Sequence, residues 1–274
     1  MHRLECRQAL SAFNSGFPTL LDDLFTALSA LSAFELLYVV LATALGSLVS
    51  GLSGMGGGVL VAIAVTPIVG IEPLVPTITI AMLINHIARV WVFRQHVVWR
   101  PALVVLLSAT PFAVLGSLLY VNLPANIVAV VMGVFLIVFT PLRRVLSRRQ
   151  WQLSERGLMG VGALFGFITG TTIGAGAIII PALLGMGLSG QMLVGTDAVI
   201  GLTVLIAKAG TFGTLDRLDT RLVTVGLLVG LCSVPGVYLA RWIIERTSIR
   251  LHTILVEGLI VLAGASFIHR GLTT

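Results

Sequence analysis

Long apolar runs, interrupted only by short arginine clusters, restrict the fold of this sequence more than any other feature. A water-soluble domain must wet its outer surface and carries about 25% charged residues. Here charged side chains make up 10% and hydrophobic ones 57%, so hydrocarbon has to replace water as the solvent of most of the surface. Inside a bilayer every backbone N–H and C=O needs an internal partner. The expected fold is therefore all-α, a polytopic membrane protein. The net charge of +6 does not signal nucleic-acid binding, because the arginines lie between apolar runs, as the positive-inside rule places them.

The apolar segments run at 34–52, 58–70, 74–93, 101–121, 125–141, 157–170, 176–188, 191–213, 222–244 and 251–268. A helix crosses a bilayer with about 17–25 residues, so 58–70 and 176–188 are too short for ordinary spans and read as broken or re-entrant pieces. Ahead of them, Phe17, Leu21, Leu24, Leu28 and Leu31 share one helical face behind Pro18, which reads as an amphipathic helix in the interface; the alternative is a disordered tail. Asp22 and Asp23 lie off that face, and no basic stretch opens the chain as a cleavable signal would, so the N-terminus is expected to stay on the protein. Cys6 and Cys232 are far apart in dissimilar settings and suggest neither a disulfide nor a metal site.

The segments divide into two sets of five. Gly46, Ser50, Gly54 and Gly58 recur every four residues, and Gly162, Gly166, Gly170 and Gly174 repeat the ladder at a constant offset of 116. Further on, Gly70 matches Gly187, Thr77 matches Thr196, Arg89 matches Lys208 and Pro111 matches Pro235. Glycine ladders alone can coincide by chance; agreement of a threonine, a cation and a proline pair points to duplication. The expected organisation is an N-terminal extension at 1–33, a first transmembrane repeat with its basic linker at 34–149, and a second repeat at 150–274. Arg94 and Arg100 follow the third segment, and Arg143, Arg144, Arg148 and Arg149 follow the fifth, so both loops are expected to be cytoplasmic. In the second half the loop after the third segment is balanced by Asp216 and Asp219, and Arg241, Arg246 and Arg250 come one crossing later. That shift suits five crossings per half and inverted repeats; re-entrant short segments would instead give four crossings and parallel repeats.

Two stretches break what should be continuous helices: Ser53-Gly54-Met55-Gly56-Gly57-Gly58 and Thr169-Gly170-Thr171-Thr172-Ile173-Gly174-Ala175-Gly176. Irregular backbone at membrane depth is tolerated only inside protein or beside a polar cavity. The half-helix that follows each break would aim free N–H groups and its positive dipole end at an anion. Close helix packing accounts for Gly46, Gly162 and Gly166, but does not call for three consecutive glycines. No Lys-Ser/Thr follows either cluster, so neither is a nucleotide loop. The residues expected to bind a ligand are Gly56, Gly57, Gly58, Asn85, Arg89, Thr171, Thr172, Gly174, Thr196 and Lys208. Arg89 and Lys208 are costly in a membrane unless they snorkel, pair or face a wet cavity. Two matched cations near two breaks favour an anionic ligand. His86, Asp197 and Glu257 could relay or couple protons, or serve simply as interhelical polar contacts or ion-pair partners.

At the Gly54-Met55-Gly56-Gly57-Gly58 turn, the Gly195-Thr196 pair and the His96-Val97-Val98-Trp99-Arg100 loop, the sequence resembles the TauE/SafE sulfite exporter family of bacterial membrane proteins, over about residues 36–268. The resemblance implies a duplicated core and export of sulfite, sulfoacetate or related small sulfur anions across the cytoplasmic membrane. In the second half Thr171 and Thr172 stand where the family has a fuller glycine run, and their hydroxyls suit sulfonate or sulfite oxygens. The expectation is a secondary transporter that works by alternating access, with the lipid bilayer and a small sulfur anion as partners, and with no cofactor, metal or nucleic acid. An anion channel is the nearest alternative. An enzyme is the more distant one, since no His-Glu-x-x-His or Ser/His/Asp constellation is present.

Overall fold

The computed structural model describes residues 33–53, 57–70, 73–148, 154–244, 264–269 and 272. The described chain is all-helical: α1 (Ala33–Ser53), α2 (Gly57–Val69), α3 (Leu74–Phe93), α4 (Trp99–Val121), α5 (Ala125–Arg148), α6 (Glu155–Thr171), α7 (Gly176–Gly185), α8 (Gly190–Thr214) and α9 (Thr220–Ile244). A 3-10 turn, Arg94–His96, joins α3 to α4, and residues 264–269 form a further helical piece. The expected interfacial helix at 17–31, the turn residues Gly54, Met55 and Gly56, and Glu257 fall outside the described residues.

Among the described residues, four helices are long and apolar enough to cross a membrane: Leu74–His96, Trp99–Val121, Gly190–Thr214 and Thr220–Ile244. The protein is a multi-pass membrane protein. At 1.5 Å per residue, the 13 residues of α2 rise only about 20 Å and the 10 of α7 about 15 Å, short of a hydrocarbon core of about 30 Å. Pro67 and Pro181 lie inside these two helices. α5 continues through the basic run to Arg148, past the end of the apolar segment at 141.

Small residues set the packing. A Cβ at Gly162, Gly166 or Gly170 on α6 would collide with Ser108, with the Ala109 carbonyl or with the Ala113 carbonyl on α4, and one at Gly116 would collide with the Phe167 carbonyl. These glycines let the two backbones touch. Arg100 meets Glu155 at the start of the same interface, so α4 and α6 run parallel. α1 and α9 also run parallel, with Ser47 against Ser233 and Gly51 against Ala240. α3 runs alongside α9, Thr77 and Ile80 meeting Gly226, and Val92 meeting Arg241. α8 runs alongside α4, from Thr196 against Val98 to Phe212 against Tyr120. Between these groups, α3 and α8 cross the centre antiparallel: Phe93 meets Gly195, Arg89 meets Asp197 and His86 meets Gly201. Hence α1, α3 and α9 point one way and α4, α6 and α8 the other. α2 folds back along α1, Val61 against Gly46 and Gly57 against Ser50.

Candidate functional site

The central crossing of α3 and α8 borders a cavity of about 100 Å³. From α3 come Ile78, Thr79, Met82, His86 and Arg89, and from α8 Asp197, Gly201, Leu205 and Lys208, each set at helical spacing along one face. Gly58 enters from α2, while Phe165, Thr169 and the segment Thr172–Gly176 close the other side.

That segment is the second helix break. α6 ends at Thr171; Thr172 is extended, and Gly174 has φ +91°, where a side chain is strained and where a Cβ would also press on Val59 at 2.6 Å. α7 then restarts at Gly176 with no side chain capping its N-terminus. The last carbonyls of a helix have no partner within it. Lys208 supplies one, donating to Thr169 O at 2.6 Å and Thr172 O at 3.1 Å. An ammonium there also opposes the negative end of the α6 dipole. Lys208 is 2% exposed, so it reaches inward to the break instead of snorkelling to the loop. An ammonium has three donors, so one N–H of Lys208 remains beyond the two carbonyl bonds.

Arg89 is fully enclosed as well, at 1% exposure, but its charge is answered. Its Nη2 donates to Asp197 Oδ2 at 2.7 Å and to Val194 O at 3.4 Å, its Nη1 faces His86 Nε2 at 3.5 Å, and its Nε has no partner. The pair ties α3 to α8 across the centre. Eleven residues separate Asp197 from Lys208, about 16 Å of rise along α8. Both cations line the same cavity, entering its wall at different levels.

Among the expected site residues, the cavity brings together Gly58, His86, Arg89, Thr172, Gly174, Asp197 and Lys208. Others point elsewhere, for identifiable reasons. Asn85 faces away from the cavity and donates to Ser47 Oγ and Ser233 Oγ, joining α3 to α1 and α9. Thr196 accepts from Val98 N at the start of α4. Thr171 turns its hydroxyl onto its own helix, to Phe167 O and Ile168 O, and Gly57 is the contact point of the α1–α2 hairpin. Gly56 and Glu257 fall outside the described residues. The apolar wall of Ile78, Met82, Phe165, Ile173 and Leu205 was not anticipated, although Met82, Gly201 and Leu205 repeat at helical spacing with the polar residues that were.

Two recesses lie at the ends of the bundle. One of about 200 Å³ is lined by Trp91, Arg94, His96, Tyr238 and Arg241; the other, of about 520 Å³, gathers Asn122, Asp216, Arg217 and Asp219. The end holding the α3–α4 turn is basic, and the opposite end is balanced.

Against known proteins, the profile of the family described as "Sulfite exporter TauE/SafE" matches residues 39–267. The chain is also similar to the "Probable membrane transporter protein YjnA" of Bacillus subtilis (strain 168), at 26% identity over 81% of this chain and 95% of that protein. No solved structure matches the chain.

Proposed function

We propose, from the premise that this chain belongs to the TauE/SafE sulfite exporter family of membrane transporters, that it exports a small sulfur-containing anion through the cavity between α3 and α8. A transporter of this family is not an enzyme, and the work of the site is binding and release. The cargo is sulfite, sulfoacetate or a related organosulfonate. The observation that carries this reading is the buried Lys208 at the wall of a cavity, which donates to two backbone carbonyls, lies 5.7 Å from the Phe212 ring and has one N–H beyond the two carbonyl bonds. The uncapped N-terminus of α7 flanks it, so sulfonate-type oxygens would meet N–H donors rather than hydrocarbon.

The cavity would open alternately to the two sides as two inverted repeats, 34–149 and 150–274, rock about the α3–α8 crossing. Matched helices point in opposite directions, which supports inversion. So does a matched contact: Gly51 meets Ala240, and Gly116 meets Phe167 at the offsets of 116 and 124 that relate Gly46 to Gly162 and Pro111 to Pro235. With Arg94, Arg100 and Arg241 toward the cytoplasm of a bacterial inner membrane, an exported anion leaves with the inside-negative potential, each charge gaining about 2.3 kcal/mol per 100 mV. Purified protein should melt at a higher temperature in sulfite or sulfoacetate, and Lys208→Ala should remove most of that shift. An undiminished shift in the variant would move the site away from Lys208.

A further inference from the structure

We infer that the cavity selects singly charged anions over doubly charged ones and that Asp197 sets this preference; the inference rests on the transport reading above. Among the described residues, four ionisable side chains line the cavity: His86, Arg89, Asp197 and Lys208. Asp197 and Arg89 are in contact at 2.7 Å with side chains 5% and 1% exposed, so each cancels the other within the wall. His86 places Nδ1 2.9 Å from Met82 O, where only an N–H makes a bond, and turns Nε2 toward the Arg89 guanidinium. A guanidinium only donates, so the nitrogen facing it accepts and the imidazole is neutral. One positive charge is left for a ligand, on Lys208.

A monoanion brings such a chamber to neutrality. A dianion leaves one negative charge uncompensated in a largely buried site, where it is less well screened than in solution. The acid belongs to one half only. At the offset of 119 that relates Thr77 to Thr196 and Arg89 to Lys208, the partner of Asp197 is Ile78, which also lines the cavity. Without Asp197, two cations would face the ligand and a dianion would be the matched charge. Asp197 is thus a specificity-determining residue that acts through Arg89.

Two sulfonates of equal length separate the possibilities: 2-hydroxyethanesulfonate carries one charge at pH 6 and sulfoacetate carries two. Calorimetry on the purified full chain should give the monoanion at least about tenfold tighter binding, equivalent to about 1.4 kcal/mol. Asp197→Asn should reverse the order, and Asp197→Glu should restore it. A second measurement needs no variant. Sulfite passes from singly to doubly charged between mildly acid and mildly alkaline pH, so its affinity should fall more steeply over that range than that of ethanesulfonate, which is singly charged throughout and reports any change in the protein's own charge. Equal binding of the two sulfonates, an unaltered order in Asp197→Asn, or parallel pH profiles for sulfite and ethanesulfonate would overturn the inference and leave the transport reading standing. Absence of binding by every one of these anions would overturn both.

Discussion

At the scale of single residues, two buried cations do different work. Arg89 and Asp197 answer one another, and a buried pair is costly to break from one side, about 3–5 kcal/mol, because the survivor keeps its charge without a partner. Arg89→Met and Asp197→Leu should each lower the melting temperature more than the double variant does, and a thermal double-mutant cycle measures the difference. Lys208 instead holds the carbonyls at the end of α6, so Lys208→Met should cost stability of about 1.5–3 kcal/mol by thermal unfolding as well as affinity. Both cations were legible in the sequence as out-of-place charges. Their partners were not. Asp197 lies 108 residues from Arg89, and the acceptors of Lys208 are backbone carbonyls, which no sequence pattern marks. Asn85 and Thr196 looked equally available as ligands because sequence gives their helix but not the neighbour on the face they occupy.

At the scale of elements, the glycines separate into packing and conformation. On α6, Gly160 has nothing within 4 Å of its would-be Cβ, whereas Gly166 sits against the Ala109 carbonyl of α4. Gly160→Ala should leave the melt unchanged or raise it slightly, by about 0.5–1 kcal/mol from the entropy of the unfolded chain. Gly166→Ala should lower it, since the two helices have to separate. The contrast between neighbouring sites on one helix makes the test independent of helix propensity. Gly174 belongs to the second class: its φ of +91° and its contact with Val59 make Gly174→Ala destabilising by about 1–2 kcal/mol, and more damaging to ligand binding than to folding because it reshapes the cavity wall. Helix boundaries were readable to within a few residues in most segments, since hydrophobic runs have to match a bilayer. The second break was placed too early by three residues: Thr169, Gly170 and Thr171 continue α6 because packing on α4 rewards the helical glycine there.

At the scale of the whole molecule, opposed helix directions and reciprocal contacts organise the chain around the α3–α8 crossing. The proposed repeat rests on glycine, threonine, cation and proline positions matched in the sequence, and the shift of basic loops agrees with the opposed helix directions. The cavity itself was not visible, because its wall draws on helices from both halves whose distance in sequence exceeds a hundred residues. The most direct test of the central claim is counterflow of radiolabelled sulfite in proteoliposomes holding the unmodified chain or Lys208→Ala. Expected are saturable uptake driven by internal unlabelled sulfite, a fall of at least about tenfold in Lys208→Ala, the rate equivalent of about 1.4 kcal/mol, and no fall in Gly160→Ala. Counterflow that persists undiminished in Lys208→Ala, or large non-saturating anion currents in place of exchange, would contradict it.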